Sequence, residues 1–129
     1  MIKIYVKKQN SYPISAVNIK KRLNNYLKKR GIVSDSICYI ALVGEKMMKK
    51  IEKKYLKESN SVHPVLSFTE QEVTEKFVYP NSNVIRLGEI VVCYPLAFKQ
   101  AKEQNRLIED KVYELVEHGA KHLLGEHHH

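Results

Sequence analysis

Hydrophobic and polar positions follow two different periods along the chain, which indicates a mixture of strands and helices. Residues 2–7 alternate strictly, with isoleucine or valine at every second position, and this pattern predicts a strand. Between residues 15 and 30 the apolar side chains instead recur every three or four residues, as on one side of a helix. Gly31 follows directly and predicts the end of that helix.

Six further elements follow from the same criteria. We predict strands and helices at these positions: strands 36–43, 65–68 and 85–93, and helices at about 45–57, 95–104 and 107–124. Residues 69–86, which combine acidic with turn-forming side chains, predict an exposed loop or hairpin. Because strands and helices do not alternate regularly, we expect an α+β fold. Residues 1–129 would form one domain, with a small mixed sheet packed against about four helices.

Charge is distributed unevenly between the two halves of the sequence. Residues 1–60 carry 15 basic and 4 acidic side chains, whereas residues 61–129 carry 7 and 10, and the net charge is +8. A basic surface favours a polyanionic partner, since lysines that neutralise phosphates release condensed counterions. A solvated face that keeps the protein soluble is the alternative. The candidate phosphate-binding lysines all lie on the helix at about 45–57, and they are Lys46, Lys49, Lys50, Lys53, Lys54 and Lys57.

The apolar residues of that same helix and the two cysteines identify candidate core positions. Met47, Met48, Ile51 and Tyr55 are predicted to face the core. Cys38 and Cys93 are the two cysteines, and since each lies in an apolar stretch we expect buried thiols in a reducing compartment. No apolar run approaches the roughly 18 residues that span a bilayer. We therefore expect a soluble, cytoplasmic protein without a membrane partner.

Five of the six histidines fall in the last twelve residues, which suggests a metal site at the C-terminal helix. His118 and His122 are four residues apart, so both imidazoles project from one side of the helix and a single ion can reach them. His128, beyond Gly125, is the candidate for a third ligand. Three nitrogen ligands would leave a fourth position open, as in catalytic zinc sites, although another late transition metal would also suit them.

Two simpler interpretations of these histidines stay open. A pair four residues apart on a helix is also what two ordinary surface histidines would form. Residues 127–129 are all histidine, so part of this run is also explained by an added affinity tag.

The residues of three segments together resemble a known family. The sequence HGAKHLLGEHH at 118–128 resembles the metal signature HGxLHLxGYDH of the YbeY endoribonuclease family. VLSF at 65–68 resembles the family's PTDVLSF segment, and LGEIV at 87–91 resembles its LGDIVI strand. The resemblance implies a zinc-dependent, single-strand-specific endoribonuclease that acts in rRNA maturation and ribosome biogenesis. Its partners would then be single-stranded RNA, rRNA and the ribosomal subunit, with RNA bound by the lysines named above.

The resemblance also assigns roles to individual residues. An ungapped alignment places Lys57 at the family's functional arginine, and lysine keeps the charge but loses bidentate phosphate recognition. Ser67 becomes a candidate catalytic, phosphate-binding residue, or it merely caps a strand end. Glu89 stands at the family's aspartate, where it would orient a metal-bound histidine or only face solvent.

Two other functions remain compatible with the sequence. The first is a non-catalytic assembly factor that binds RNA or the ribosome and keeps the metal for folding. The second is a metal hydrolase of a non-nucleic substrate. Peptide hydrolysis by the zincin mechanism is disfavoured, because Gly119 occupies the position where that motif has its general-base glutamate. The sequence leaves open the attacking group, the cleavage site and the oligomeric state.

Overall fold

The computed structural model describes residues 1–56, 63–69 and 84–125, and the elements in these ranges follow the predicted order. Each element begins and ends within about two residues of its predicted limits. The elements are β1 Ile2–Lys7, α1 Ala16–Lys29, β2 Ser36–Val43, α2 Glu45–Tyr55, β3 Val65–Phe68, β4 Ile85–Cys93, α3 Tyr94–Glu103 and α4 Ile108–Leu123. Residues 70–83, the main part of the predicted loop, lie outside the described ranges.

The four strands form one mixed sheet in the order β1-β2-β4-β3. Strands β1, β2 and β4 run parallel to one another, whereas β3 pairs antiparallel with β4. The sheet and its four helices confirm the predicted α+β fold for the described residues. Strands β1 and β3 lie at the two edges of this sheet, and this arrangement decides which residues can meet.

The two faces of the sheet are covered by different helices. Side chains on one face pack with α1 and α4, and we call it the α4 face; its central residues include Ile4, Cys38, Ile40, Ile90 and Val92. The other face, called the α2 face, buries Met48 of α2 against Phe68, Val91 and Cys93. Because neighbouring residues of a strand point to opposite faces, a shift of one position moves a side chain from one helix layer to the other.

Contacts between α1 and α4 hold the α4 face together. The Glu109 carboxylate accepts a hydrogen bond of 2.8 Å from the Ser15 backbone N–H at the start of α1. The Tyr113 hydroxyl donates to the Arg22 backbone carbonyl at 3.2 Å, and the Arg22 guanidinium lies 4.1 Å from the centre of the tyrosine ring. Burial raises the pKa of Tyr113 to about 12, so its hydroxyl remains a donor throughout the physiological pH range.

One prediction about α2 is wrong. Met47 was expected in the core, but 49% of it is exposed, whereas Glu52 is buried with 1% exposed. The helix is rotated so that Met48 and Glu52, four residues apart, share the buried side. A helical period of 3.6 residues is compatible with burial of either methionine. Packing against Phe68 and Val91 selects Met48.

The burial of both cysteines is confirmed, since Cys38 and Cys93 are free and buried. Burial raises the pKa of Cys38 to about 12 and also raises that of Cys93. Among the described residues, no helix combines the length and the apolar character needed to cross a membrane.

We expect neither thiol to react in the native protein. Only the thiolate is nucleophilic, and burial disfavours it at both positions. At pH 8 an aromatic disulfide reagent should therefore modify less than about a tenth of the thiol in native protein within minutes. It should modify both cysteines in denatured protein. Rapid native modification, measured by the absorbance of the released thiolate, would contradict the burial of these side chains.

Candidate active site

Helix α4 presents His118 and His122 one turn apart, as the spacing predicted. The helix runs from Ile108 to Leu123, and its buried side contains Val112, Leu115, Val116, Gly119 and Ala120. His118 is exposed and His122 is half-buried, so both imidazoles lie at the border of the buried side. The helix backbone that carries them is anchored to the sheet through Gly119 and its buried neighbours.

Gly119, which follows His118 directly, sets how closely α4 approaches strand β4. A Cβ atom built on this residue would lie 2.7 Å from Cγ2 of Ile90 and 3.2 Å from its Cγ1. Ile90 is fully buried and β-branched, so it has little freedom to move away. The absence of a side chain at Gly119 therefore brings the histidine-bearing turn of α4 onto the sheet.

Gly88 performs a similar steric function within strand β4. Its φ of +133° is unfavourable for other residues, and a Cβ there would lie 2.2 Å from the Phe68 carbonyl oxygen. The same Cβ would lie 2.8 Å from Cδ2 of Leu123, at the end of α4. The pairing of β4 with β2 shifts register beside this glycine, as in a β-bulge. Gly88 thus brings β3, β4 and the end of α4 together.

Ser67 lies on the α4 face of edge strand β3. It pairs with Ile90, the residue against which Gly119 packs, and directly opposed residues of an antiparallel pair point to the same face. Ser67 is half-buried, and α4 packs against β3. The structure therefore brings the serine to the helix that carries the two histidines, as the candidate site requires.

Glu89 is not brought to the histidine pair. It pairs with Tyr39 and points to the α2 face, whereas its neighbour Ile90 points to the α4 face. Its side chain is exposed. Glu89 therefore faces solvent, which is the second of its two expected roles, because strand alternation turns its side chain away from α4.

The lysine-rich helix lies on the side of the sheet opposite α4. Lys46, Lys49, Lys50, Lys53 and Lys54 are all exposed on α2. Near the end of this helix the ring of Tyr55 contacts that of Phe68 in β3, with the ring centres 4.8 Å apart. Helices α2 and α4 therefore flank edge strand β3 from opposite faces, with the lysines on one side and the histidines on the other.

Two predicted site residues, the phosphate-binding Lys57 and the metal ligand His128, lie outside the described residues. Within the described ranges, no three histidine, cysteine or acidic side chains form a metal-binding group. His118 and His122 nevertheless fit two positions of such a site, because they are imidazole donors one helical turn apart. The backbone N–H of Gly125 donates to the His122 carbonyl at 3.0 Å, so the helix ends just before the segment that carries His128.

Sequence reasoning missed a buried carboxylate beside strand β3. Oε2 of Glu52 accepts a 2.8 Å hydrogen bond from the His63 backbone N–H and also contacts the ring Nδ1 of His63. Oε1 of Glu52 is buried without a hydrogen-bond partner in the described part of the chain. The pair links α2 to the start of β3 across the segment that contains Lys57. Charged residues of a lysine-rich helix are expected to be exposed, so the sequence pattern gave no indication that Glu52 is buried.

Comparisons with known proteins agree with the α+β fold of the described residues. The family model described as Endoribonuclease YbeY matches residues 4–129. The chain belongs to this family.

Individual relatives support the assignment. The Endoribonuclease YbeY of Dehalococcoides mccartyi (strain CBDB1) is 30% identical, over 99% of this chain and 81% of the relative. That of Wigglesworthia glossinidia brevipalpis is 34% identical over 69% of this chain, and the match spans about half, 54%, of that relative. The solution structure of TM1509 from Thermotoga maritima covers all of this chain and 75% of its own, with a TM-score of 0.62 and 27% identity.

We expect Gly119→Ala to destabilise the fold by about 1–2 kcal/mol. The new methyl group overlaps buried Ile90, an overpacking cost of about 1–3 kcal/mol, while the better helix propensity of alanine returns up to about 1 kcal/mol. Urea unfolding measures the difference. Combining Gly119→Ala with Ile90→Ala, which removes the overlapping atoms, should give a smaller loss than the sum of the single variants. Strict additivity would contradict this contact.

Proposed function

We propose that the protein is a metal-dependent endoribonuclease specific for single-stranded RNA, acting in the cytoplasm in rRNA maturation and ribosome biogenesis. One observation carries the proposal: helix α4 holds His118 and His122 one turn apart and packs against edge strand β3, which carries Ser67. The relatives' name, Endoribonuclease YbeY, supplies the reaction class. The substrate would be rRNA, encountered on or near a ribosomal subunit.

The metal would be one zinc ion held by His118, His122 and His128. Three neutral imidazoles and one open position suit zinc, although another late transition metal would also fit these donors. When bound, the ion would supply Lewis acidity, which stabilises negative charge on phosphate oxygens and lowers the pKa of bound water.

Ser67 and Lys57 would position the scissile phosphate. The Ser67 hydroxyl is half-buried on the α4 face and is a suitable donor to a phosphate oxygen. Lys57 follows α2 by two residues and would place its ammonium group near the same phosphate. A lysine can neutralise charge there, but it lacks the planar pair of donors that an arginine would offer.

The position of β3 favours a flexible substrate. The lysines of α2 and the histidines of α4 lie on opposite faces of the sheet, and both helices contact edge strand β3, so an RNA that binds both would pass around this edge. A single strand can bend around such an edge, whereas a rigid A-form duplex cannot. The lysines would hold phosphates by charge and the histidine side would hold the cleaved position.

We expect His122→Ala to abolish metal binding and to reduce RNA cleavage by more than about a hundredfold. Alanine favours helix, so α4 should persist, and binding of RNA by the lysines should remain. Elemental analysis of protein without an added tag, far-UV circular dichroism and a cleavage assay on single-stranded rRNA fragments measure these effects. The control is Lys121→Ala, one residue away on the same helix, which should keep both metal and activity.

Two outcomes would contradict the proposal. Nuclease-free parent protein that shows no metal-dependent cleavage, with His122→Ala changing only the melting temperature, would favour the non-catalytic assembly factor. Cleavage that survives in the metal-free variant would remove His122 from the active site and would direct the search toward another group.

We expect the lysines of α2 to produce a steep salt dependence of RNA affinity. Each phosphate contact with single-stranded RNA makes the negative slope of log K against log salt concentration steeper by about 0.7. Lys50→Gln and Lys53→Gln should each reduce the magnitude of this slope by about 0.7, and the double variant should reduce it by about 1.4. Fluorescence anisotropy at several salt concentrations measures it. Lys102→Gln, an exposed lysine near the end of α3, serves as the control, and an equal effect there would reduce the α2 lysines to general surface charge.

A further inference from the structure

Among the residues that the structure describes, part of the α2 face is left open beyond α2 and carries two exposed tyrosines. Tyr5 of β1 and Tyr39 of β2 are directly paired in the parallel ladder and point to this face. Their rings are stacked, with centres 5.4 Å apart and planes inclined by 19°. Tyr5 is 48% exposed and Tyr39 is 38% exposed. The pair therefore presents aromatic surface to solvent on the half of the face that α2 does not cover.

Positive charge borders this aromatic pair. Lys3 and Lys7 lie two residues before and after Tyr5, so they point to the same face of the sheet, and both are exposed. The lysine-rich helix α2 packs on the other half of the same face. A groove of about 430 Å³ runs over the open half and is lined by Tyr5, Lys7, Tyr39, Ala41, Glu89 and Val91 together with the backbone between them.

These features match what single-stranded nucleic acid requires of a sheet surface. Aromatic side chains on an open sheet face stack with unpaired bases, and flanking lysines contact the phosphates between them. Stacking accepts any base, because every base has a π-face, which suits a protein that binds strands of varied sequence. A protein partner would be expected to meet an apolar surface with fewer charges at its centre.

We propose that the open half of the α2 face is a second RNA-binding surface, separate from the histidine site. One or more bases of a single strand stack on the Tyr5–Tyr39 pair, and Lys3 and Lys7 bind the adjacent phosphates. RNA as the partner rests on the proposed function. The surface would hold the part of the substrate that extends away from the cleaved position, and so would contribute to affinity and not to chemistry.

The register of the β-sheet suggests the path of the bound RNA. Tyr5, Tyr39, Glu89 and Phe68 form one row across β1, β2, β4 and β3. Phe68, at the far end of this row, is buried beneath α2, so the open end of the row is the one that carries Tyr5 and Tyr39. Glu89 lies next to Tyr39 and repels phosphate, so the RNA backbone runs along β1, on the side of Lys3 and Lys7, and the bases point toward Tyr39.

Binding measurements without cleavage test this surface. With EDTA present, anisotropy of a fluorescein-labelled single-stranded RNA should show that Tyr5→Val and Tyr39→Val each weaken affinity by about fivefold or more, since a stacked aromatic ring contributes at least that much. Valine retains the preference for a strand while removing the ring. Tyr5→Phe and Tyr39→Phe keep the ring and should bind as the parent does. Glu89→Gln should raise affinity.

A control and a mapping experiment sharpen the test. Phe98→Leu removes an aromatic ring of α3 that is also 50% exposed, and it should leave affinity unchanged. RNA substituted with 5-iodouridine should crosslink under ultraviolet light to Tyr5 or Tyr39, as mass spectrometry of the digested protein would show. Crosslinks confined to other residues, or equal affinity of the valine variants and the parent, would overturn the proposal.

The outcomes also separate this surface from the endoribonuclease function. Cleavage of RNA without any effect of the tyrosines would overturn the surface and leave the proposed function standing. Tyrosine-dependent binding in a protein that never cleaves RNA would support the surface and contradict the enzyme. If two copies of the chain instead pair through this face, sedimentation would show a dimer that the valine variants dissociate while RNA affinity stays constant, and the proposal would fail.

Discussion

The close approach of helix α4 to strand β4 is the contact on which the histidine site depends. Gly119 allows the helix to lie against Ile90, and Gly88 accepts Leu123 and the backbone of β3 in the space that a side chain would fill. Interiors are packed densely enough that one added methyl group cannot be absorbed without displacing a neighbour. Because His118 and His122 flank this contact, the same glycines that pack the core also place the candidate metal ligands.

A second constraint is the strict alternation of side chains along each strand. It separates the molecule into a face that carries the histidine helix and a face that carries the lysine helix, with edge strand β3 between them. The proposed chemistry and the proposed RNA affinity therefore belong to different layers of one sheet. The proposed substrate would reach around β3 to use both layers, and a longer strand would meet the tyrosine pair on β1 and β2.

Local patterns predicted the secondary structure well because each element here has a clear period and clear ends. The helical histidine spacing and the strand containing Ser67 were likewise visible as motifs, and family membership confirms the resemblance on which their roles were based. Glu52 shows where such reasoning fails. It is a charged residue among lysines, and only the position of His63, eleven residues further along the chain, explains why its carboxylate is buried.

The amino-acid sequence is enough to recognise the order of elements, the α+β class, the basic helix, the buried thiols and the family. Short-range periodicity and motif spacing encode these properties, and neither requires knowledge of distant contacts. Three features follow only from the fold: Met47 is exposed, Glu89 faces away from α4 and Tyr5 stacks on Tyr39. Each of these depends on strand order, register or helix rotation. They are set by packing between segments far apart in the chain, where a shift of a single residue changes the face on which a side chain lies.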